Sequence, residues 1–294
     1  MILTELFANG DLQWAMHTTM MLDYAYATQV LALQKSNKAA NLNQVALLEA
    51  LCDKSLLQNT AFFYNSPSSP IADCRNSKLP LQNIIDCCFP VKCNKTLHAK
   101  ISLVCLKDKY IKDTVFYRLG VFSKNATFAG KCLEVGAIFK LNFNYNSSFD
   151  DKAKRNGRQL AAFLDTLYNG CNDSGKNWLK KNELHTEGKL YEQFSEGFKL
   201  VLEGNESKDA SLYFGGCQQE RLYEHLQLDK WDDSSIIITP PTFVQTNKNR
   251  DFLKNKLYDL KYTTEKFYEN KQICTKLRKE WPTSSHAKLY LLKN

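Results

Sequence analysis

Two stretches of this 294-residue chain carry nearly the same text, "LHAKISLV" at 97–104 and "SHAKLYLL" at 285–292. In an extended strand, residues two apart project from one face. His98 and Lys100 therefore point together, while Leu97, Ala99, Ile101 and Leu103 turn the other way, towards a core. His286, Lys288 and Tyr290 repeat the arrangement, with Ala287, Leu289 and Leu291 packing behind. A chain that writes this pattern twice needs at least two half-buried strands, each presenting an imidazole beside an ammonium. The pair either reflects two ordinary strands or marks two halves of one active site.

The surrounding text alternates between strand-like and helix-like segments. "AMHTTMMLDYAY" (15–26) reads as a strand leading into the helical "ATQVLALQKS", and "NQVALLEALCDKSLL" (43–57) reads as a second helix by its Leu/Ala periodicity. "SPSSPIADCRNSKLP" (66–80) has loop composition. Strands are expected in "HAKISLVCL", "VFYRLGVFS" and "LEVGAIFKL", then a charged helix over about 151–168 and an amphipathic helix in "KLYEQFSEGFKLVL" (189–202). Polar loops are expected around that last helix. Strand text returns in "SLYFGG", "SSIIITPPTFV" and the closing "SHAKLYLL", with helices in "QQERLYEHLQ" and near 249–259. The order strand, helix, strand, His-Ala-Lys strand thus occurs once in the first hundred residues and begins again after about residue 210. Such a period implies duplicated lobes rather than a solenoid. The alternation predicts an α/β sandwich with mixed sheets.

A hydrophobic fraction of 44% and a charged fraction of 24% are ordinary for a soluble domain. No apolar run approaches the roughly 20 residues that span a bilayer, and "MILTELFANGDLQWAMH" has no basic segment followed by a long apolar one. The expectation is a cytoplasmic protein with no stable membrane insertion. Its ten cysteines are then expected to be reduced thiols. Cys87, Cys88, Cys93 and His98 lack the paired C-x-x-C spacing of a zinc site, so the thiols are expected to act as small apolar residues. No metal and no cofactor is expected.

The net charge of +8 favours an anionic partner. Basic stretches at 150–159, 248–256 and 276–281 read either as solvated helix faces or as a surface that tracks phosphates. The His-x-Lys faces favour phosphates. A lysine binds non-bridging oxygens as a point charge, and a neutral imidazole can attack phosphorus. An adjacent ammonium also favours the neutral, nucleophilic imidazole.

The text after the first copy, "FYRLGVFSKNATFAGKCLEVGAIF" (116–139), runs a strand into Ser123, Lys124 and Asn125 and returns through Glu134 in "LEVG". H-x-K, then S-x-N, then E-V-G resembles the phospholipase D superfamily, in its bacterial phospholipase D-like and tyrosyl-DNA phosphodiesterase-like forms. The resemblance covers the first lobe from "TTMMLDYAY" through "FKLN" and the second from "SSIIITPPTF" onwards. It implies an α/β/α sandwich of two pseudo-repeated lobes, 1–205 and 206–294, with the second incomplete. It also implies one site built from both motifs. One of His98 and His286 would form a phosphohistidine and the other protonate the leaving group. Lys100, Lys288 and Asn125 would bind phosphate oxygens, and Glu134 would hold a histidine's tautomer. The Asp that phospholipid-cleaving members carry five residues after the lysine is replaced by Cys105 and Lys293. Phe122 stands where a glycine precedes the serine, and the text stops at Asn294, before a second S-x-N. The expected function is a metal-independent nuclease or DNA-end phosphodiesterase, with nucleic acid, DNA above RNA, as its partner. The alternatives are a truncated or non-catalytic nucleic-acid-binding module and a lipid phosphodiesterase or transferase.

Overall fold

Short apolar runs without any alternation, "TAFFYN" and "CFPV", turn out to be the parallel strands around which the first part of the chain is organised. Strands buried on both faces lose the period of two, which is why these two carry no strand signature of their own. The computed structural model describes residues 2–36, 43–66, 81–93, 97–122, 136–143, 151–203, 209–212, 214, 235–239 and 289–293.

The chain begins with a short helix α1 (Ile2–Leu6) and strand β1 (Gly10–Thr19), followed by α2 (Tyr24–Ser36), α3 (Gln44–Cys52) and α4 (Lys54–Gln58). Strand β2 (Thr60–Asn65), a 3-10 helix (Leu81–Cys87) and β3 (Cys88–Val91) complete the parallel part. Strands β4 (Ile101–Asp108), β5 (Val115–Phe122) and β6 (Gly136–Asn142) form an antiparallel meander. Helices α5 (Asp151–Gly170), α6 (Asp173–Lys181) and α7 (Lys189–Glu196) precede β7 (Lys199–Leu202) and the two-residue β8 (Asp209–Ala210). The sheet order is β3-β2-β1-β4-β5-β6-β7-β8, parallel across β3, β2 and β1 and antiparallel from β1 onwards.

Helices cover both faces. Leu97, Ile101, Leu103 and Cys105 of one sheet face pack with Leu160, Phe163, Leu164 and Phe194 from α5 and α7. On the other face Val104 and Ala15 meet Leu6 and Phe7, and Phe62 meets Leu31 and Leu51. This is an α/β/α sandwich around a mixed sheet, the fold class the alternation predicts. Burying those apolar faces is what stabilises it, at roughly 25 cal/mol per Å² of apolar surface.

Local chemistry sets the boundaries, and several differ from expectation. The helix read over 43–57 is two helices, because Asp53 ends α3 and its carboxylate then accepts from Leu56 N (3.1 Å) to cap α4. The helix read over 189–202 stops at Glu196. Gly197, at φ 128° and ψ 166°, takes a backbone conformation open only to glycine, and the remainder becomes β7. Helix α6 lies where polar loop was expected, started by Asn172, whose side chain accepts from Gly175 N at 3.0 Å. The helix expected from residue 27 begins three residues earlier, where Asp23 Oδ1 accepts from Ala25 N (2.9 Å).

By contacts the chain divides into two units, Met1–Phe128 with Gly136–Gln219, and Ala129–Val135 with Glu220–Asn294. In the second, β9 (Ser235–Thr239) and β10 (Leu289–Lys293) pair antiparallel, with Leu289 opposite Thr239. The helices expected in 218–227 and near 249–259 lie outside the described residues. Among the described residues no helix is long and apolar enough to cross a membrane.

Candidate functional site

Strand β4 enters the sheet at the ends where β1 and β2 finish, because it runs antiparallel to β1 and β1 runs parallel to β2. Residues 97–100 therefore sit at the carboxyl ends of two parallel strands, the place where α/β sheets commonly hold ligands. The strand expected from His98 starts instead at Ile101. The tripeptide His98-Ala99-Lys100 lies just before the strand.

The alternation holds nevertheless. Leu97 and Ile101 are in the core and Ala99 packs against it, whereas His98 is exposed. Lys100 keeps only 7% of its surface. Its Nζ donates to the His98 carbonyl at 2.9 Å and lies 3.2 Å from Nδ1 and 3.4 Å from Nε2 of the same residue. A neutral imidazole carries one lone-pair nitrogen, so one of these two contacts is a hydrogen bond and the other is proximity. The result is a sheltered ammonium held against the ring of an exposed histidine.

Strand β5 ends beside the first motif. Val121 pairs with Ile101, and Phe122 N donates to the Lys100 carbonyl at 2.8 Å. Ser123, the first residue of S-x-N, thus follows directly on a residue bonded to Lys100. Asn125, Glu134, His286 and Lys288 lie outside the described residues.

Three residues that sequence reasoning passed over support this corner. Asn65 closes β2 and accepts from Leu97 N at 2.9 Å. The Thr18 hydroxyl donates to the Ala99 carbonyl (3.0 Å) and accepts from Ile101 N (3.3 Å). His17 pairs across the ladder with Ser102, its Nδ1 2.7 Å from Oγ, two residues along the same sheet face from Lys100. The signal available in the sequence was the polar run "HTT" after the apolar "WAM", and the asparagine ending "AFFYN".

Among the described residues four thiols sit in the core as small apolar groups, while Cys52 is exposed. Cys87, Cys88, Cys105 and Cys171 are buried, and burial pushes Cys105 and Cys171 up to about 11, away from thiolate chemistry at neutral pH. Burial likewise raises the Tyr64 phenol, which pairs with Thr19 at the end of β2 and stays protonated.

No family model matches the chain, and no curated protein matches it. Among solved structures, yeast tyrosyl-DNA phosphodiesterase is similar at a TM-score of 0.35 and 10% identity, over 83% of this chain and 42% of that one. Two structures of the yeast enzyme carrying one and the same histidine-to-asparagine substitution give TM-scores of 0.36 and 0.35, each at 10% identity over 86% of this chain. Those alignments cover 44% and 45% of the mutant chains, so this chain spans less than half the length of the structures it matches. So slight a likeness carries no argument about chemistry, and the site's reading rests on the residues themselves.

Proposed function

We propose that the chain is a phosphodiesterase of the phospholipase D superfamily, acting on nucleic acid without a metal ion. The observation that carries the proposal is the sheltered Lys100 ammonium against the exposed His98 imidazole, at the ends of the parallel strands β1 and β2. In this reading a ring nitrogen of His98 attacks phosphorus to form a phosphohistidine. His286 gives its proton to the departing oxygen and then activates the water that cleaves the P–N bond. Lys100, Lys288 and Asn125 hold the non-bridging oxygens, and Glu134 fixes a tautomer. The two lobes divide near residue 205, and the protein works in the cytoplasm.

The contact between Lys100 and His98 adds a condition. While Nζ donates to the imidazole, it occupies the lone pair that attack requires. A substrate phosphate that draws Nζ onto its own oxygens frees that lone pair, so binding and activation of the nucleophile occur together.

The test is hydrolysis of an oligonucleotide and of the p-nitrophenyl ester of thymidine 5′-phosphate in excess EDTA. The expected result is turnover that survives EDTA and is lost in His98→Ala, while oligonucleotide binding is kept and weakens steeply with salt. Activity that required magnesium and persisted in His98→Ala and His286→Ala would refute the mechanism. A folded chain that bound oligonucleotide without any turnover would favour the non-catalytic binding module, and retention on lipid vesicles alone would favour the lipid reading.

A further inference from the structure

We infer that Asn65 and Thr18 form a two-point clamp that sets where His98 and Lys100 stand, an inference that rests on the phosphodiester reading of the site. The paired register of β1 with β4 ends at His17 opposite Ser102, so residues 97–100 receive little from the ladder. Backbone groups buried there still need partners. Asn65 Oδ1 takes the Leu97 N–H on one side of the motif. The Thr18 hydroxyl takes both the Ala99 carbonyl and the Ile101 N–H, bridging the backbone around Lys100 itself. Both clamp residues are buried, and both sit at the ends of parallel strands fixed in the core. The backbone is thus tied before His98, between His98 and Lys100, and after Lys100, each time by a side chain.

This arrangement makes the clamp a positioning device. Neither residue is placed to touch a reacting atom. A shift of about 1 Å in a positioned group can cost on the order of 10² in rate, and such a shift is what loss of either clamp allows.

Four variants test it: Asn65→Leu and Thr18→Val remove the bonds, whereas Asn65→Asp and Thr18→Ser keep the oxygens. The readouts are kcat and KM on thymidine 5′-phosphate p-nitrophenyl ester, and the imidazole NMR signals of His98. Asn65→Leu and Thr18→Val are each expected to lower kcat about 10- to 100-fold, with a smaller effect on KM, and to shift the His98 signals. The conservative pair is expected to restore both. If Asn65→Leu does not fold, Thr18→Val, which removes one hydroxyl from the β1 side, carries the test. Unchanged His98 signals in folded Thr18→Val would overturn the clamp, as would activity falling only with the fraction of unfolded protein. Should the wild-type chain show no hydrolysis, the phosphodiester reading fails, while the His98 signals still decide whether the clamp exists.

Discussion

His17 and Ser102 meet across β1 and β4 with Nδ1 2.7 Å from Oγ, and the opposite ring nitrogen is 2.8 Å from the Gln34 amide nitrogen. Thr60 donates to the Gln34 oxygen at 3.0 Å, which orients that amide with its nitrogen towards His17. Gln34 then donates to Nε2, so the ring proton sits on Nδ1 and Ser102 accepts it. The ring stacks on Phe62, with centroids 4.9 Å apart, and meets Phe7 edge-on. These described neighbours carry no charge, and burial alone lowers the histidine to about 3.

That neutral histidine makes stability depend on pH. In the unfolded chain it takes up a proton near 6.5, whereas the folded chain resists until about 3. The stabilisation is therefore complete above 6.5 and is lost as pH falls from 6.5 towards 3, at up to about 1.4 kcal/mol per pH unit. Urea titrations of wild type and His17→Gln at several pH values check this. Wild type is expected to lose stability more steeply in that window, and equal slopes would count against the assignment.

Lys100 is too enclosed to be exchanged for another cation. Lys100→Met is expected to remove at least about 10² of turnover. Lys100→Arg should fail to restore it, because a planar guanidinium cannot take the ammonium's position against the His98 ring. Single-turnover hydrolysis compares the two, and full activity in Lys100→Arg would show that only the charge matters.

Asn156 on α5 donates to the Phe198 and Ala210 carbonyls, both at 3.2 Å, and accepts from Leu212 N at 2.7 Å. It ties β7 and the segment after it to the helix. Asn156→Leu leaves three backbone groups without that partner and is expected to cost about 2–4 kcal/mol. Urea midpoints measure the loss, and limited proteolysis should find new cleavage between Phe198 and Phe214.

Gly157 lies where α5 crosses the turn that ends α7. A Cβ there would stand 2.5 Å from the Phe194 carbonyl and 2.8 Å from Gly197 Cα. Gly157→Ala is expected to destabilise by about 1–3 kcal/mol despite alanine's better helix propensity. A melting temperature unchanged or raised would contradict so close an approach.

Much of this architecture could be read from residue order. The alternation of Leu97, Ala99 and Ile101 against His98 and Lys100 gave the facing of the motif, and the text of β5 and α5 gave those elements nearly to the residue. What could not be read depended on partners far away in the chain. Strands β2 and β3 are buried on both faces and so carry no period. The start of β4 at Ile101 reflects where its pairing with β1 stops, at His17 opposite Ser102. Asn65 and Thr18 look like ordinary polar residues at strand ends, and only the approach of residue 97 reveals what they bind. His17 was quoted within a strand, but its role depends on Gln34 from the following helix.

The bonds that hold the His98–Lys100 corner span 32, 81 and 83 residues of sequence. Closing loops of that length carries an entropic cost before any contact is gained, so such contacts form slowly and together with the sheet. The corner therefore comes into being only when β4 docks beside β1, after every preceding strand of the sheet has been synthesised. A partly folded chain therefore contains the motif's residues without the arrangement that joins them, because that arrangement exists only once the sheet has closed.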